Sequence, residues 1–357
     1  MFLWRLWNED ALVMRVDRVV RRRREDKLHA CTSSPHRPGT VFHCVPGLPG
    51  SNPREDQMTD IATSRAAALA QEPMRIAGPR PGFARGTLSS LKDILAHREL
   101  LGSLVRRELK ARYKDSALGF FWSLARPLAM LLIYYIALGK FLGAARSVPD
   151  FAIFIYTGLT AWGLFSEVVL GGTGSIVANS GLIKKVYLPR EVFPLSVVGS
   201  SLFNFGIQML ILLSATVVAG KFPTGERWLY FPLALAVVLV YSTALALLLS
   251  AVNVYLRDVQ YLIDVIIMIL FWASPIVYAW KQVAGHVSGV VADIYLGNPM
   301  TLAVMGFQKA FWVSGDGEPI PTHLGTRLGI VLAIGLVLLW LCQRTFARLQ
   351  SNFAQEL

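Results

Sequence analysis

Residues that could do chemistry are few in the apolar part of this chain, and no familiar catalytic motif is present. The sequence has no G-x-x-x-x-G-K-[ST] loop, so it offers no phosphate cradle of the P-loop kind. The run 171–174, Gly-Gly-Thr-Gly, lacks the spacing of a dinucleotide-binding loop and is interpreted as a helix end and turn. No H-E-x-x-H, G-x-S-x-G or paired-cysteine motif occurs. We therefore expect no catalytic residue, no cofactor and no metal in this chain.

A zinc site near the N-terminus is the one metal interpretation that the residue types allow. It would use Cys31, His36, His43 and Cys44, whose spacing matches no common zinc pattern. The surrounding sequence is rich in Pro and Gly, which is typical of an unstructured segment. A plain disordered segment is therefore the favoured interpretation.

Two acidic residues fall within long apolar segments, where ionisable groups are functional candidates by default. Glu167 is expected inside the second such segment, with a role in a transport path or in a subunit interface. Asp264 is expected close to a membrane boundary, hydrated or paired with Arg257. Two acids do not make a proton relay, which disfavours an ion-driven carrier.

The composition predicts an all-α polytopic membrane protein. Of the 357 residues, 54% are hydrophobic and 16% are charged, and the mean hydropathy is +0.48. Soluble domains average about 45–50% apolar and about 25% charged residues. The net charge of +12 would suggest nucleic acid in a soluble protein. Because the basic residues cluster before the first apolar segment, lipid headgroups and membrane orientation explain the charge better, and we expect no nucleic-acid partner.

Hydropathy predicts six transmembrane helices, each near the roughly 20 residues that cross a bilayer. The predicted spans are 118–142, 151–171, 193–219, 229–252, 259–278 and 328–342, the last extending towards 326 and 346. Lys and Arg residues flank the ends predicted to be inside, including Lys184, Lys185 and Arg257. An even number of spans and this charge bias predict a multi-pass protein of the cytoplasmic membrane, with both termini in the cytoplasm.

The segment 293–313 is apolar but interrupted. It contains the pair Asn298-Pro299 and the polar residues Gln308 and Lys309. A re-entrant segment that enters from the outer face and turns back suits this pattern, since broken backbone at membrane depth must be buried in protein or line a wet cavity. The alternative is a seventh span, which would place the C-terminus outside.

The N-terminal quarter divides into two parts ahead of the membrane domain at 91–357. Residues 1–57 have no convincing signal peptide and are typical of a disordered or non-native extension. We expect translation to begin at Met58, and residues 58–90 to form a flexible cytoplasmic arm.

An amphipathic helix is predicted at 97–114, directly before the first span. Leu101, Leu104, Val105 and Leu109 fall on one stripe. The opposite side carries four cations, which are Arg106, Arg107, Lys110 and Lys114. Such a helix lies in the membrane interface; the alternative is a solvated helix that caps a soluble domain.

Four stretches resemble ABC-2 type permeases, in particular those that export O-antigen, teichoic acid, galactan-like or other lipid-linked polysaccharides. They are LVRRELKARYKDSALGFFWSLARPL at 104–128, KKVYLPREVFPL at 184–195, VYLRDVQYLIDVIIMILFWASPIVY at 254–278 and LGNPMTLAVMGFQKAFW at 296–312. The resemblance runs in the right order from about residue 88 to the end of the chain.

The resemblance implies a half-transporter that works with a separate subunit. Two copies of the permease would form the path, and an ABC nucleotide-binding subunit would carry ATP and Mg. The segment 180–193 is similar to a coupling helix that contacts the ATPase, and 97–114 to the helix beside it. The coupling residues would be Lys184, Lys185, Tyr187, Pro189, Arg190 and Glu191. A plain positive-inside loop explains the two lysines but not the whole string.

The resemblance also suggests a glycan path and an outer gate. Aromatic faces stack on sugar rings, and the candidates are Trp122, Tyr134, Tyr135, Phe154 and Tyr156, together with Glu167. Interfacial belts and ordinary helix packing are the alternatives. Residues 281–312 would form the outer gate, and the candidate gate residues are Tyr278, Asn298 and Pro299.

Rival functions remain open. An ABC-2 permease that exports a drug or a lipid would differ in substrate alone, and a secondary carrier would need no ATPase. A membrane-embedded glycosyltransferase or ligase would need acids near the outer face, for which Asp293, Asp316 and Glu318 are the candidates.

Overall fold

The computed structural model describes residues 92, 95–113, 119–184, 188–285 and 289–357. The predictions for residues 1–57 and for the arm at 58–90 lie outside this part of the chain, as does the zinc interpretation. Lys114, Lys185 and Tyr187 also lie outside it, as does the side chain of Trp122.

Every regular element in the described part is helical. The helices of eight or more residues are α1 Arg98–Tyr113, α2 Gly119–Tyr134, α3 Phe151–Ala178, α4 Val192–Val218, α5 Tyr230–Tyr255, α6 Val259–Trp272, α7 Val290–Gly297, α8 Pro299–Phe311 and α9 Leu324–Leu349. Shorter helices occupy Ala144–Ser147, Ser180–Ile183, Trp280–Ala284 and Phe353–Glu356. The all-α prediction therefore holds for the residues that the structure describes.

Four of these helices are long and apolar enough to cross a membrane. They are α3, α4, α5 with the short helical turn before it, and α9. Two further predicted spans correspond to shorter apolar helices, Pro127–Phe141 and Val259–Trp272. In the first, Pro127 lies inside α2, and α2 continues as a wider π-helix, Tyr135–Phe141. The second ends two residues before Ser274-Pro275, where proline disfavours helical geometry at the preceding residue.

The glycine run at 171–174 lies inside α3 and not at its end, so the interpretation as a helix end and turn is wrong. α3 continues to Ala178, seven residues beyond the predicted boundary. Tertiary packing explains the glycines: a Cβ on Gly172 would lie 2.5 Å from the Cβ of Ala246 in α5. The missing side chain allows two long helices to touch, which outweighs the low helix propensity of glycine.

α5 lies at the centre of the bundle, packed against α3, α4, α8 and α9. The main hydrophobic core is formed between these helices. A second core at the end where α4 begins joins α1 to the C-terminal segment through Leu104, Ile183, Phe193, Phe346 and Phe353. This second core holds together the segments that the sequence predicts to be cytoplasmic.

α8 is enclosed by the bundle. All of its residues except Pro299 and Lys309 are buried. A Cβ on Gly306 would meet Ala234 at 2.8 Å and Leu328 at 3.1 Å, which shows how closely α5 and α9 approach it. Its 13 residues span about 20 Å at a rise of about 1.5 Å per residue.

Candidate functional site

The candidate coupling segment, residues 180–193, connects the end of α3 to the start of α4. It begins with the short helix Ser180–Ile183, and a turn at Arg190 and Glu191 leads into α4. Ile183, Val192 and Phe193 are buried in the second core and fix both ends of the segment. Lys184 is exposed. The apolar residues therefore anchor the segment, while Lys184 stands at the surface.

Arg190 and Glu191 contact the C-terminal part of the chain. The Arg190 guanidinium lies 5.5 Å from the centroid of the Phe353 ring. Glu191 is 4% exposed, and its Oε1 accepts a hydrogen bond of 3.0 Å from Nε2 of Gln343 in α9. The family resemblance implied an ATPase contact for both charges, and the structure places each of them against residues of this same chain.

α1 packs on the first half of α4. Leu104 is buried, and Val105 faces Gly199, where a Cβ would meet its Cγ2 at 2.8 Å. Oε1 of Glu108 accepts a hydrogen bond of 2.8 Å from Ser196, and Oε2 accepts one of 2.9 Å from Ser200. The two serines are four residues apart and share one helix face. Sequence reasoning missed Glu108, because its partners are 88 and 92 residues away.

Three of the predicted interface cations of α1 lie at the surface. Arg106, Arg107 and Lys110 are exposed. Arg107 donates a hydrogen bond of 2.5 Å to Oδ1 of Asn179, directly before the coupling segment. α1 and the coupling segment are therefore linked both by this bond and by the shared core.

The predicted path aromatics divide into two groups. Tyr134 stacks with Phe271 at a centroid distance of 6.0 Å, and Lys140 lies 5.8 Å from the centroid of Tyr135. Phe154 and Tyr156 are buried inside the chain, and Phe154 packs edge-on against Trp312 at 4.8 Å. The structure therefore leaves the two tyrosines of the first predicted span partly open, whereas the two α3 aromatics are enclosed.

Glu167 lies near the middle of α3, and its Oε1 accepts a hydrogen bond of 2.7 Å from Nδ2 of Asn204 in α4. This amide partner could not be predicted from local sequence, since it lies 37 residues away. Asp264, by contrast, is exposed on the first half of α6. Glu167 is half-buried, and the hydrogen bond from Asn204 offsets part of the hydration that its carboxylate loses.

The predicted outer turns are well defined. α7 ends at Gly297 and α8 begins at Pro299, with Oδ1 of Asn298 accepting a hydrogen bond from the backbone N–H of Met300. Asn is a favourable N-cap, and Pro is favourable at the first helical position. Tyr278 donates to the carbonyl of Trp272 at 2.8 Å and accepts from Tyr295 at 3.2 Å. The Asn298-Pro299 pair thus produces the predicted break.

Ion pairs join the loops at the opposite end from the coupling segment. Lys221 lies 2.6 Å from Asp150, and both side chains contact Ser314. Asp316 pairs with Arg227 and, at 3.3 Å, with Lys309; Glu318 pairs with Lys281 at 3.5 Å. Hydrogen bonds from Lys221 and then Ser314 lower the pKa of Asp150. The loop acids Asp316 and Glu318, two of the three candidates for a transferase, are therefore occupied in ion pairs, while Asp293 is exposed.

Long apolar helices, an enclosed short helix and charged segments at both ends of the bundle define a multi-pass membrane protein, and its sequence carries no nucleotide-binding loop. The chain belongs to the ABC-2 type transporter family, whose profile matches residues 99–312. The match includes α1 apart from Arg98, the coupling segment and α8.

Several relatives carry names that specify polysaccharide export. The O-antigen export system permease protein RfbA of Myxococcus xanthus is 31% identical over 269 residues, covering 75% of this chain and 98% of that protein. A protein of the same name from Klebsiella pneumoniae is 27% identical over 260 residues, covering 72% and 95%. The polysialic acid transport protein KpsM of Escherichia coli is 24% identical over 179 residues, covering 49% and 68%.

Proposed function

We propose that this chain is the transmembrane permease subunit of an ATP-driven exporter of lipid-linked polysaccharide across the cytoplasmic membrane. The observation that most supports this proposal is the similarity to a protein named as an O-antigen export permease over 98% of that protein's length. Similarity to a polysialic acid transport protein supports the wider substrate class of cell-surface or cell-wall glycans.

The proposed topology has six spans with both termini in the cytoplasm. α2 with its π-helical continuation covers residues 119–141, about 34 Å at helical rise, which suffices for a hydrocarbon core of about 30 Å. α6 is shorter and is followed by the outer segment. The length of α8, about 20 Å, supports a re-entrant outer gate rather than a seventh span.

ATP and Mg belong, in this proposal, to a separate ABC nucleotide-binding subunit. That subunit docks against Lys184, Lys185 and Tyr187 of the coupling segment and beside the exposed cations of α1. Closure of the ATPase pair on ATP moves the coupling segment and α1 as one body, since a shared core and the Arg107–Asn179 bond join them. A rigid-body, two-state transition of this type opens the path.

The glycan path is proposed to form between two copies of the chain. α2 and α6 each have a wide apolar face on the surface of the protomer. Ile133 of α2 is 56% exposed, and Met268 of α6 is 60% exposed. In this proposal, Tyr134 and Tyr135 contribute to the path from the end of α2 and the start of its π-helical continuation, and Trp122 remains a candidate from the sequence. Phe154, Tyr156 and Glu167 line it only if helix movement uncovers α3.

Deletion of the gene in its native host tests the substrate class. The proposal predicts that the deletion strain lacks the surface glycan and accumulates lipid-linked glycan on the cytoplasmic side of the membrane. A plasmid that carries the wild-type gene should restore the surface glycan. Immunoblotting of intact and permeabilised cells distinguishes the two pools. Normal surface glycan in the deletion strain, or accumulation of a drug or a simple lipid instead, would contradict the proposal.

A further inference from the structure

The C-terminal segment 350–357 packs into the second core. The ring of Phe353 is fully buried and contacts two other aromatic rings, Phe346 at 5.7 Å and Tyr255 at 6.1 Å. The hydroxyl of Tyr255, at the end of α5, donates a hydrogen bond of 2.9 Å to the carbonyl of Leu349. The end of α9 and the segment after it are therefore tied to α5 by two contacts, both of which involve Tyr255.

The coupling segment rests on this C-terminal assembly at two adjacent residues. The guanidinium of Arg190 lies over the face of Phe353 at 5.5 Å, within the range of a cation–π contact. The carboxylate of Glu191 is buried and accepts the hydrogen bond from Gln343, one turn before Phe346 in α9. Burial of a carboxylate is costly unless it is hydrogen-bonded, so this contact fixes the residue directly before α4.

We propose that Gln343 and Phe353 are positioning residues that hold the coupling segment on α9 through Glu191 and Arg190. The inference rests on the proposed function. Arg190 and Glu191 then transmit movement of the segment to α9 and do not recognise the ATPase, which is left to Lys184 and its exposed neighbours. In this proposal, Lys184 docks the ATPase at the surface of the coupling segment, whereas Arg190 and Glu191 transmit the movement to α9.

A double-mutant cycle tests this assignment in the reconstituted complex with its ATPase. Arg190→Gln and Phe353→Leu each remove one side of the cation–π contact, and leucine keeps the buried position apolar. We expect each single variant to lower the glycan exported per ATP hydrolysed by about fivefold, and the double variant to be no worse than either, because both remove the same contact. The pair Lys184→Gln with Phe353→Leu is the matched control and should show additive losses.

The affinity of the ATPase for the permease supplies a second measurement that does not depend on the stability of the Phe353 variant. Arg190→Gln should leave that affinity within about twofold of wild type, whereas Lys184→Gln should weaken it. Additive losses in the first cycle, or a weakened complex for Arg190→Gln, would show that Arg190 contacts the ATPase and would overturn the inference. A wild-type complex without ATP-dependent export would instead refute the proposed function.

Discussion

Gly172 allows two of the longest helices, α3 and α5, to approach to contact distance. A Cβ at this position would lie 2.5 Å from the Cβ and 3.2 Å from the Cα of Ala246. Because one of these atoms is backbone, no side-chain rotation can relieve the overlap. Small residues commonly serve this purpose between membrane helices, where close packing replaces the hydrophobic driving force.

Substitution of Gly172 by alanine should therefore destabilise the bundle. We expect a loss of about 1–3 kcal/mol in the free energy of unfolding, because α3 and α5 must separate. Thermal unfolding in detergent measures it. Gly206→Ala in α4 is the matched control, since nothing lies within 4 Å of its Cβ position, and alanine there should be neutral or stabilising. Equal stability of Gly172→Ala and wild type would show that the helices can move apart without cost.

At the scale of elements, charge pairs supplement a small apolar cluster, which includes Val148 and Trp312, in holding the loops at the end opposite the coupling segment. Asp150 precedes α3, Lys221 follows α4, and Ser314 follows α8, so one cluster joins three connections. Asp150 and Lys221 are 33% and 45% exposed, so solvent screens the pair. Its value lies more in fixing loop geometry than in overall stability.

The lowered pKa of Asp150 sets the pH range over which this cluster persists. A depressed folded-state pKa means that the contribution is fully present above the unfolded value near 3.8 and is lost as pH falls through the lower folded value. Wild type and Asp150→Asn should therefore differ in Tm by a constant amount from pH 7 to about pH 5, and the difference should vanish at lower pH. Asp293→Asn, at an exposed acid, is the control; a difference that declined between pH 7 and pH 5 would contradict the assignment.

For the whole molecule, local chemistry predicted the helices and the break at Asn298-Pro299, because apolar runs, caps and prolines act within a few residues. Long-range contacts were not predictable in this way. Glu191 and Gln343 are 152 residues apart, and the helices from α4 to α9 separate Arg190 from Phe353 along the chain. The interpretation of the glycines at 171–174 as a helix end failed for the same reason. Gly172 is explained by close packing against α5 and not by the local backbone.

We propose that this chain moves its substrate only when an ATPase partner drives it. The direct test is export of a lipid-linked glycan in proteoliposomes that contain the purified permease with and without that partner. We predict export only with both proteins, ATP and Mg present, and none from the permease alone under an ion gradient. Export by the permease alone, with an ion gradient and no nucleotide, would contradict the account.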